Sequence, residues 1–467
     1  MKSAFLGGAY ASRSLPLNAQ TCINLYAEPN EGGGEIGAFF GTAGLRKVAT
    51  FNGEHRGSVT ANGRLYVVHG NAISIVAPDF GHAVITTIPS DKGPVGMAFN
   101  TIQVVVAHPD GWTVIDLNTG AINEVPDAPK TCDVTFIDNY GVFAMDNGAY
   151  GWTAIADFSS IDPLAYASAE GSPDKILATV ADHRQLFLFG ENTIEVATVG
   201  TDPDLPFNRG TFIEQGILAP KSACKIDNTI FWLGRNEKGQ GIIYRVEGDT
   251  PMRVSTFAIE QAIAGYVSPE TCTAFTYQQD GHHFVVFNFD EATWCYDINT
   301  QTWHQRAWRE PATGQLKRWR GQTHSMFNGQ HVVGDYADGR LYVLDIDHFR
   351  DDNDLIYRER TWAQVENENK YMVFHRGELI ADMGMGLDGS DTPEESDPTA
   401  WLSVSKDGGR TWGSERPRSL GRIGEYTKRA VWWRMGIART FWCRLRTTSA
   451  TRIAWRGFNV QGEGAGK

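Results

Sequence analysis

No run of about 18 consecutive apolar residues occurs in this 467-residue chain, which excludes a membrane-spanning helix. Its six cysteines, Cys22, Cys132, Cys224, Cys272, Cys295 and Cys443, never form a C-x-x-C pair, and histidine is not clustered near them at metal-ligand spacing. They read as scattered reduced thiols of a protein made in a reducing cytoplasm. There is no G-x-S-x-G elbow, no H-E-x-x-H and no P-loop, so the hydrolases, metalloproteases and nucleotidases that carry those motifs gain no support. No catalytic residue, metal site or cofactor is expected. The start, "MKSAFLGGAYASR", has Lys2 and a short apolar patch, but Gly7 and Gly8 interrupt it, and a secretory leader is not expected.

What is present points to turns and strands. Apolar residues make up 42% and charged residues 21%, enough for a folded core. Fifty glycines and 11% aromatics lean toward an all-β chain rich in tight turns. Seven segments begin with Asn or Asp and run into a strand: "NGRLYVV" at Asn62, "NTIQVVV" at Asn100, "DNYGVFA" at Asp138, "DHRQLFL" at Asp182, "DNTIFWL" at Asp227, "DGHHFVV" at Asp280 and "NGQHVVG" at Asn328. Their starts are 38, 38, 44, 45, 53 and 48 residues apart. Each is followed by a partner strand, from "NAISIVA" to "GRLYVLD", so each repeat holds at least one hairpin. A single hairpin cannot bury its own apolar faces, and repeats of this length predict a β-propeller of six or seven blades.

The expected organisation is an extended N-terminal arm at 1–50, the propeller at 51–350 and a C-terminal β-sandwich-like domain at 351–467. The arm reads either as a hairpin tucked against the propeller or as a reach toward a neighbouring subunit. "DIDHFRDDNDL", with Asp345, Asp347, Asp351, Asp352 and Asp354, lacks the Gly and terminal Glu of a calcium loop and reads as a solvated linker. Gly384, Gly386 and Gly389 match G-x-G-x-x-G, but Pro393 and Pro398 argue for a loop rather than the helix a dinucleotide needs.

Charge is unevenly spread. The window Arg416–Arg456 holds ten arginines, Lys428 and one acid, Glu425, a net +10; the whole-chain −13 therefore leaves −23 elsewhere. Trp432, Trp433, Trp442 and Trp455 interleave with those arginines. Such a mixture suits a protein interface, plain strand surface or nucleic acid, in that order of expectation. Just before it, "SVSKDGGRTWGSE" places Ser405, Asp407, Gly409, Thr411 and Trp412 in the S-x-D-x-G-x-T-W pattern of an Asp-box, which resembles the repeats of sialidases. Its mechanics are those of a hairpin loop: Asp407 accepts backbone N–H groups and a glycine takes φ > 0. A single box outside the sevenfold repeat argues against a sialidase. A glycan-binding or sialidase-like propeller is the alternative reading, and a generic cellular scaffold a weaker third.

Beyond the box, Arg429, Trp432, Arg434, Gly436 and Arg439 match an R-x-x-W-x-R-x-G-x-x-R pattern. With "INLYAEPNEGG" and "GTAGL" near the start (Ala43 standing where Pro is common) and blades such as "QLFLFGENTIEVATVG", the chain resembles the tail hub, or nozzle, proteins of short-tailed bacteriophages, also called packaged-DNA stabilisation proteins. The resemblance implies a structural virion protein made in the host bacterial cytoplasm, without enzymatic activity. It implies a homo-hexameric ring below the head-to-tail connector that continues the DNA channel, helps retain the genome and carries fibres or spikes. Docking candidates are then Arg429, Trp432, Trp433, Arg434, Gly436, Arg439, Arg444 and Arg446, while Ser405, Asp407, Gly409, Thr411 and Trp412 are structural.

Overall fold

A computed structural model describes residues 5–15, 18–30, 37–126, 128–145, 147–168, 174–235, 239–363 and 370–464. Seven four-stranded antiparallel blades follow one another along the chain, five as separate sheets and the last two as parts of larger ones. Six are built from consecutive strands, spanning 55–87, 96–124, 135–167, 176–213, 224–253 and 273–309. The seventh takes Gly321–Phe327, Gln330–Asp335 and Arg340–Asp345, and its outermost strand is Gly44–Thr50, from within the segment expected as an arm. The first-strand to second-strand turns explain the recurring Asn and Asp. Asn62, Asp138, Asp227, Asp280 and Asn328 all adopt positive φ, with glycine next in three of them, the preference of tight hairpin turns. Asn100 instead accepts the backbone N–H groups of Ile102 and Gln103 on its side chain.

The second strands are apolar at almost every position because both faces of a blade are buried. Leu65 and Val67 pack toward the seventh blade, whereas Tyr66 and Val68 pack toward the second. Leu186 and Leu188 likewise face the third blade while Phe187 and Phe189 face the fifth. Seven separate cores result, one between each pair of neighbours, including one between blades seven and one. The ring is therefore closed, and the closure depends on Leu45 of the N-terminal strand, fully buried between blades six and seven.

The C-terminal domain is a two-sheet sandwich around its own core. One sheet runs Cys22–Ile23, Arg358–Ala363, Trp442–Thr447, Thr399–Ser405, Arg416–Ser419; the other runs Leu25–Glu28, Ala38–Gly41, Ala454–Gly464, Met372–Ala381, Ala430–Ala438. The N-terminal segment thus supplies strands to both sheets. Cys22–Ile23 also pairs in parallel with blade six, Ile23 opposite Gln305, so one sheet continues from propeller into sandwich. The segment is neither tucked against the propeller alone nor free to reach away. Phe5 is buried against Phe39 and Trp362. The tip of the hairpin, 31–36, lies outside the described residues. No helix among the described residues is long and apolar enough to cross a membrane.

Candidate functional site

The first part of the Arg/Trp window, Arg416–Ser419 and Ala430–Ala438, supplies the last strand of each sandwich sheet, whereas Trp442–Thr447 and the start of Ala454–Gly464 are interior strands. Both sheets begin at an arm strand beside the ring and end, respectively, at Arg416–Ser419 and Ala430–Ala438. These two edges meet. Arg416 donates to the carbonyl of Trp433 (3.0 Å), Arg418 to that of Val431 (2.7 Å), and the Trp432 indole donates back to the Arg416 carbonyl (2.7 Å). Arginine side chains thereby occupy acceptors that an exposed edge would offer to another strand.

Period-two alternation then separates the neighbouring tryptophans. Trp432 points inward, fully buried against Phe458, so against the expectation that it docks a partner its side chain offers no exposed surface. Trp433 points outward, 60% exposed, with the Arg376 guanidinium 5.3 Å from its ring. The strand bulges immediately after it, with Arg434 and Met435 set against His375 alone. Arg434 sits at φ +56° in the bulge, exposed, and Gly436 at φ +112°, a conformation that L side chains rarely adopt. Arg429 forms a two-pronged pair with Glu378 (2.6 and 2.9 Å), which also receives Arg376. The hydrogen bond from Arg429 holds the Glu378 carboxyl below its ordinary range. Arg439 stacks on Tyr371 at 4.4 Å.

The other two candidates turn to internal work. Arg444 lies 4.5 Å over Trp412 and donates to Ser403. Arg446 pairs with Glu415 and lies over Trp401. Much of the +10 window is therefore satisfied within the sandwich. The surface it leaves for a partner is smaller: Trp433 and Ile437, both at least half exposed, with Arg434 and Arg439 beside them.

The Asp-box is a closed loop. Asp407 accepts the N–H of Arg410 (3.0 Å), the N–H of Thr411 (2.9 Å), the Thr411 hydroxyl (2.5 Å) and the Ser405 hydroxyl (2.7 Å). These bonds, the Thr411 hydroxyl foremost, hold its carboxyl far below the usual range. Gly408 and Gly409 both take positive φ, and a Cβ on Gly409 would lie 3.0 Å from Ala19 of the arm. Every capacity of Asp407 is directed at its own loop, which rests on the N-terminal segment. No arrangement there resembles the separated carboxylate pair that glycoside cleavage requires.

The acidic stretch after the propeller is not a plain solvated linker either. Asp345 pairs with Arg46, Asp352 with Arg340 and Lys47, and Asp354 accepts the Trp308 indole N–H. Asp351 is buried; desolvation raises its carboxyl to about 6 against the pull of Arg306 and Arg358. Gly384, Gly386 and Gly389 lie in a loop followed only by the four-residue helix Pro393–Ser396.

Three buried arginines missed by the sequence reading fasten the segments together. Arg360, fully buried, donates to the carbonyls of Phe5, Gly8 and Thr21 and to the Gln20 side chain (2.6 to 3.3 Å). Arg306 donates to the Ala43 carbonyl (2.8 Å) and lies 3.6 Å over Trp319. Arg358 donates to the Ser449 carbonyl (3.2 Å). A charge removed from water persists where backbone carbonyls replace the lost hydration.

Two family models match in succession. One described as "Bacteriophage P22 Gp10, beta-propeller" covers residues 1–349, and one described as "Bacteriophage P22 Gp10, beta-sandwich" covers 357–463. No curated protein matches the chain. Among solved structures, the computationally designed Ika8 protein is 14% identical over 65% of this chain and all of its own, with a TM-score of 0.40. The N-terminal domain of Nup159 is 10% identical over 69% of this chain and 97% of its own, with a TM-score of 0.42. The extracellular domain of the hybrid two-component system BT4673 from B. thetaiotaomicron is 7% identical over 65% of this chain and 39% of its own, with a TM-score of 0.46.

Proposed function

The chain belongs to the bacteriophage P22 Gp10 family of phage tail structural proteins that stabilise packaged DNA, and on that premise we propose that it acts as the tail hub: a ring of six copies below the head-to-tail connector that extends the DNA channel, helps retain the genome and anchors fibres or spikes. The observation that carries the reading is the ordered match of propeller and sandwich across nearly the whole chain, with the N-terminal segment binding the two into one body. A load-bearing ring needs such continuity, because pressure on one domain is passed to the other through a shared sheet rather than a flexible linker.

The proposed role is structural rather than enzymatic, and assembly takes place in the host cytoplasm. Charge supports a conduit that does not grip its cargo. The region outside the Arg/Trp window carries −23, which disfavours phosphate contacts along the lumen. The Arg/Trp edge then faces protein. Because the sandwich includes strands from residues 22–41, the full chain is the correct object for tests. Electron microscopy of the full-length protein, alone and mixed with its connector, tests the reading: six-fold rings are expected, and single copies in both samples contradict it.

A further inference from the structure

We infer that the ring contact is head-to-tail: the Trp433 edge of one copy seats in a cleft between blades three and four of a second copy. This inference rests on the ring reading above and adds the two surfaces that make the contact. The cleft has a volume of about 390 Å³. Trp152 and Tyr140 form its wall from within, both nearly buried, and Ile155 and Leu164 form its rim. Leu164 is 81% and Ile155 60% exposed, and Tyr166 and Leu205, each next in sequence to a lining residue, are about half exposed. A lone exposed leucine needs no explanation, but two large exposed apolar side chains on the rim of one cleft, with two more beside its lining residues in sequence, mark a contact surface. The volume falls at the small end of pockets that take ligands of about 300 to 1,000 Å³, enough for an indole with an aliphatic neighbour.

Charge selects the occupant. Asp162 and Asp204 line the cleft, with Asp202 adjacent. Asp162 and Asp202 only accept N–H groups of their own turns, from Leu164 and Asp204. None of the three pairs with a basic side chain among the described residues. The fitting partner is an exposed aromatic flanked by unpaired positive charge. The distal sandwich edge presents that chemistry: Trp433, Ile437 on the same strand, and Arg434, which has no hydrogen-bond or ion-pair partner among the described residues.

Topology puts the two surfaces on different parts of the fold. The sandwich joins the ring at the outer strand of blade six through Cys22–Ile23, and the segment that leads into it pairs with the outer strand of blade seven, Arg350–Asp351 on Gly44–Thr50. Blade three lies half a turn away in the sevenfold order. The Trp433 strand is the edge of its sheet most remote from the arm strand. An isologous dimer would place one patch against itself; two complementary patches on different domains generate a heterologous contact, the kind that closes rings.

Sedimentation velocity on full-length protein, from about 1 to 100 µM, tests this with Trp433→Ala and Leu164→Glu, both at exposed positions. Wild type is expected to self-associate, and each variant to weaken the contact about 30-fold, as for loss of a hot-spot anchor. A one-to-one mixture of the variants is expected to form dimers and stop there, because each such dimer retains a single intact pair of faces. Thermal melts matching wild type establish folding; if Leu164→Glu melts early, Ile155→Glu, at the other exposed rim position, replaces it. Variants that assemble like wild type, or a mixture that regains full rings, overturn the assignment of faces and leave the ring reading standing. Wild type that remains monomeric throughout, with the connector present, overturns both. Capture of a different virion protein by the cleft, with no self-association, also overturns the assignment of a second copy.

Discussion

Asn24 and Ala307, 283 residues apart, exchange two hydrogen bonds: the Asn24 amide donates to the Ala307 carbonyl at 2.7 Å and accepts the Ala307 N–H at 3.0 Å. The same side chain donates to the Tyr357 carbonyl at 2.8 Å. Asn24 stands at φ +52°, where the chain leaves one sandwich sheet for the other, and is almost fully buried. One amide therefore joins arm, propeller and sandwich. Asn24→Ala removes three hydrogen bonds to backbone groups, two of them buried, and is expected to cost about 2–4 kcal/mol in chemical denaturation. Asn24→Gly, which tolerates the positive φ, should recover only a small part of that loss.

Arg360 predicts a sharper separation. Truncation to Ala removes every donor to the carbonyls of Phe5, Gly8 and Thr21 that its guanidinium supplies. The expected loss is about 3–5 kcal/mol, the range for removing one side of a buried charged contact. Limited proteolysis should then cleave first within residues 5–23, while cuts in the blades stay slow. Uniform cleavage throughout would contradict a local clasp.

Ring closure gives a third test. Leu45 fills the core between blades six and seven from a strand that precedes the propeller. Leu45→Ala is expected to cost about 2–5 kcal/mol. Deleting residues 1–50 leaves blade seven with three strands and removes strands from both sandwich sheets, so soluble yield should collapse. A deletion that folds with wild-type melting would show that the closing strand is dispensable.

A pH effect follows from His282 and Asp297, 2.7 Å apart and buried in blade six, with Tyr26 and Glu28 of the arm against the imidazole. Burial alone would lower His282, but the hydrogen bond and charge of Asp297 outweigh it and its pKa lies above the ordinary value. Asp297 lies below its ordinary value, its burial outweighed by the same pair. The raised histidine contributes stability fully below about pH 6.5 and loses it as pH climbs through its folded value; the lowered carboxyl contributes above about pH 4 and loses it as pH falls. His282→Gln should therefore flatten the alkaline limb of the difference in melting temperature. An unchanged limb would remove the pair from the account.

The propeller was legible because its signals are local. Asn and Asp at positive φ mark the turns, and the continuous apolar second strands record burial on both faces. The weave of the N-terminal segment was not legible, because pairs such as Ile23 with Gln305 leave no periodic trace. Nor could sequence tell buried arginines from exposed ones: Arg360 and Arg434 differ only in what folds around them. Adjacency in "WW" requires that the two tryptophans face opposite ways, yet only the sheet pairing decides that Trp432 is the inner one. The Asp-box reads as a loop-former from spacing alone, but its seat on Ala19 required the fold.

The most direct test of the whole account is cryo-electron microscopy of the full-length protein bound to its connector. The account predicts six-fold rings in which the Trp433 edge of each copy meets blades three and four of the next. Single copies, or rings whose contacts leave both surfaces in solvent, would contradict it.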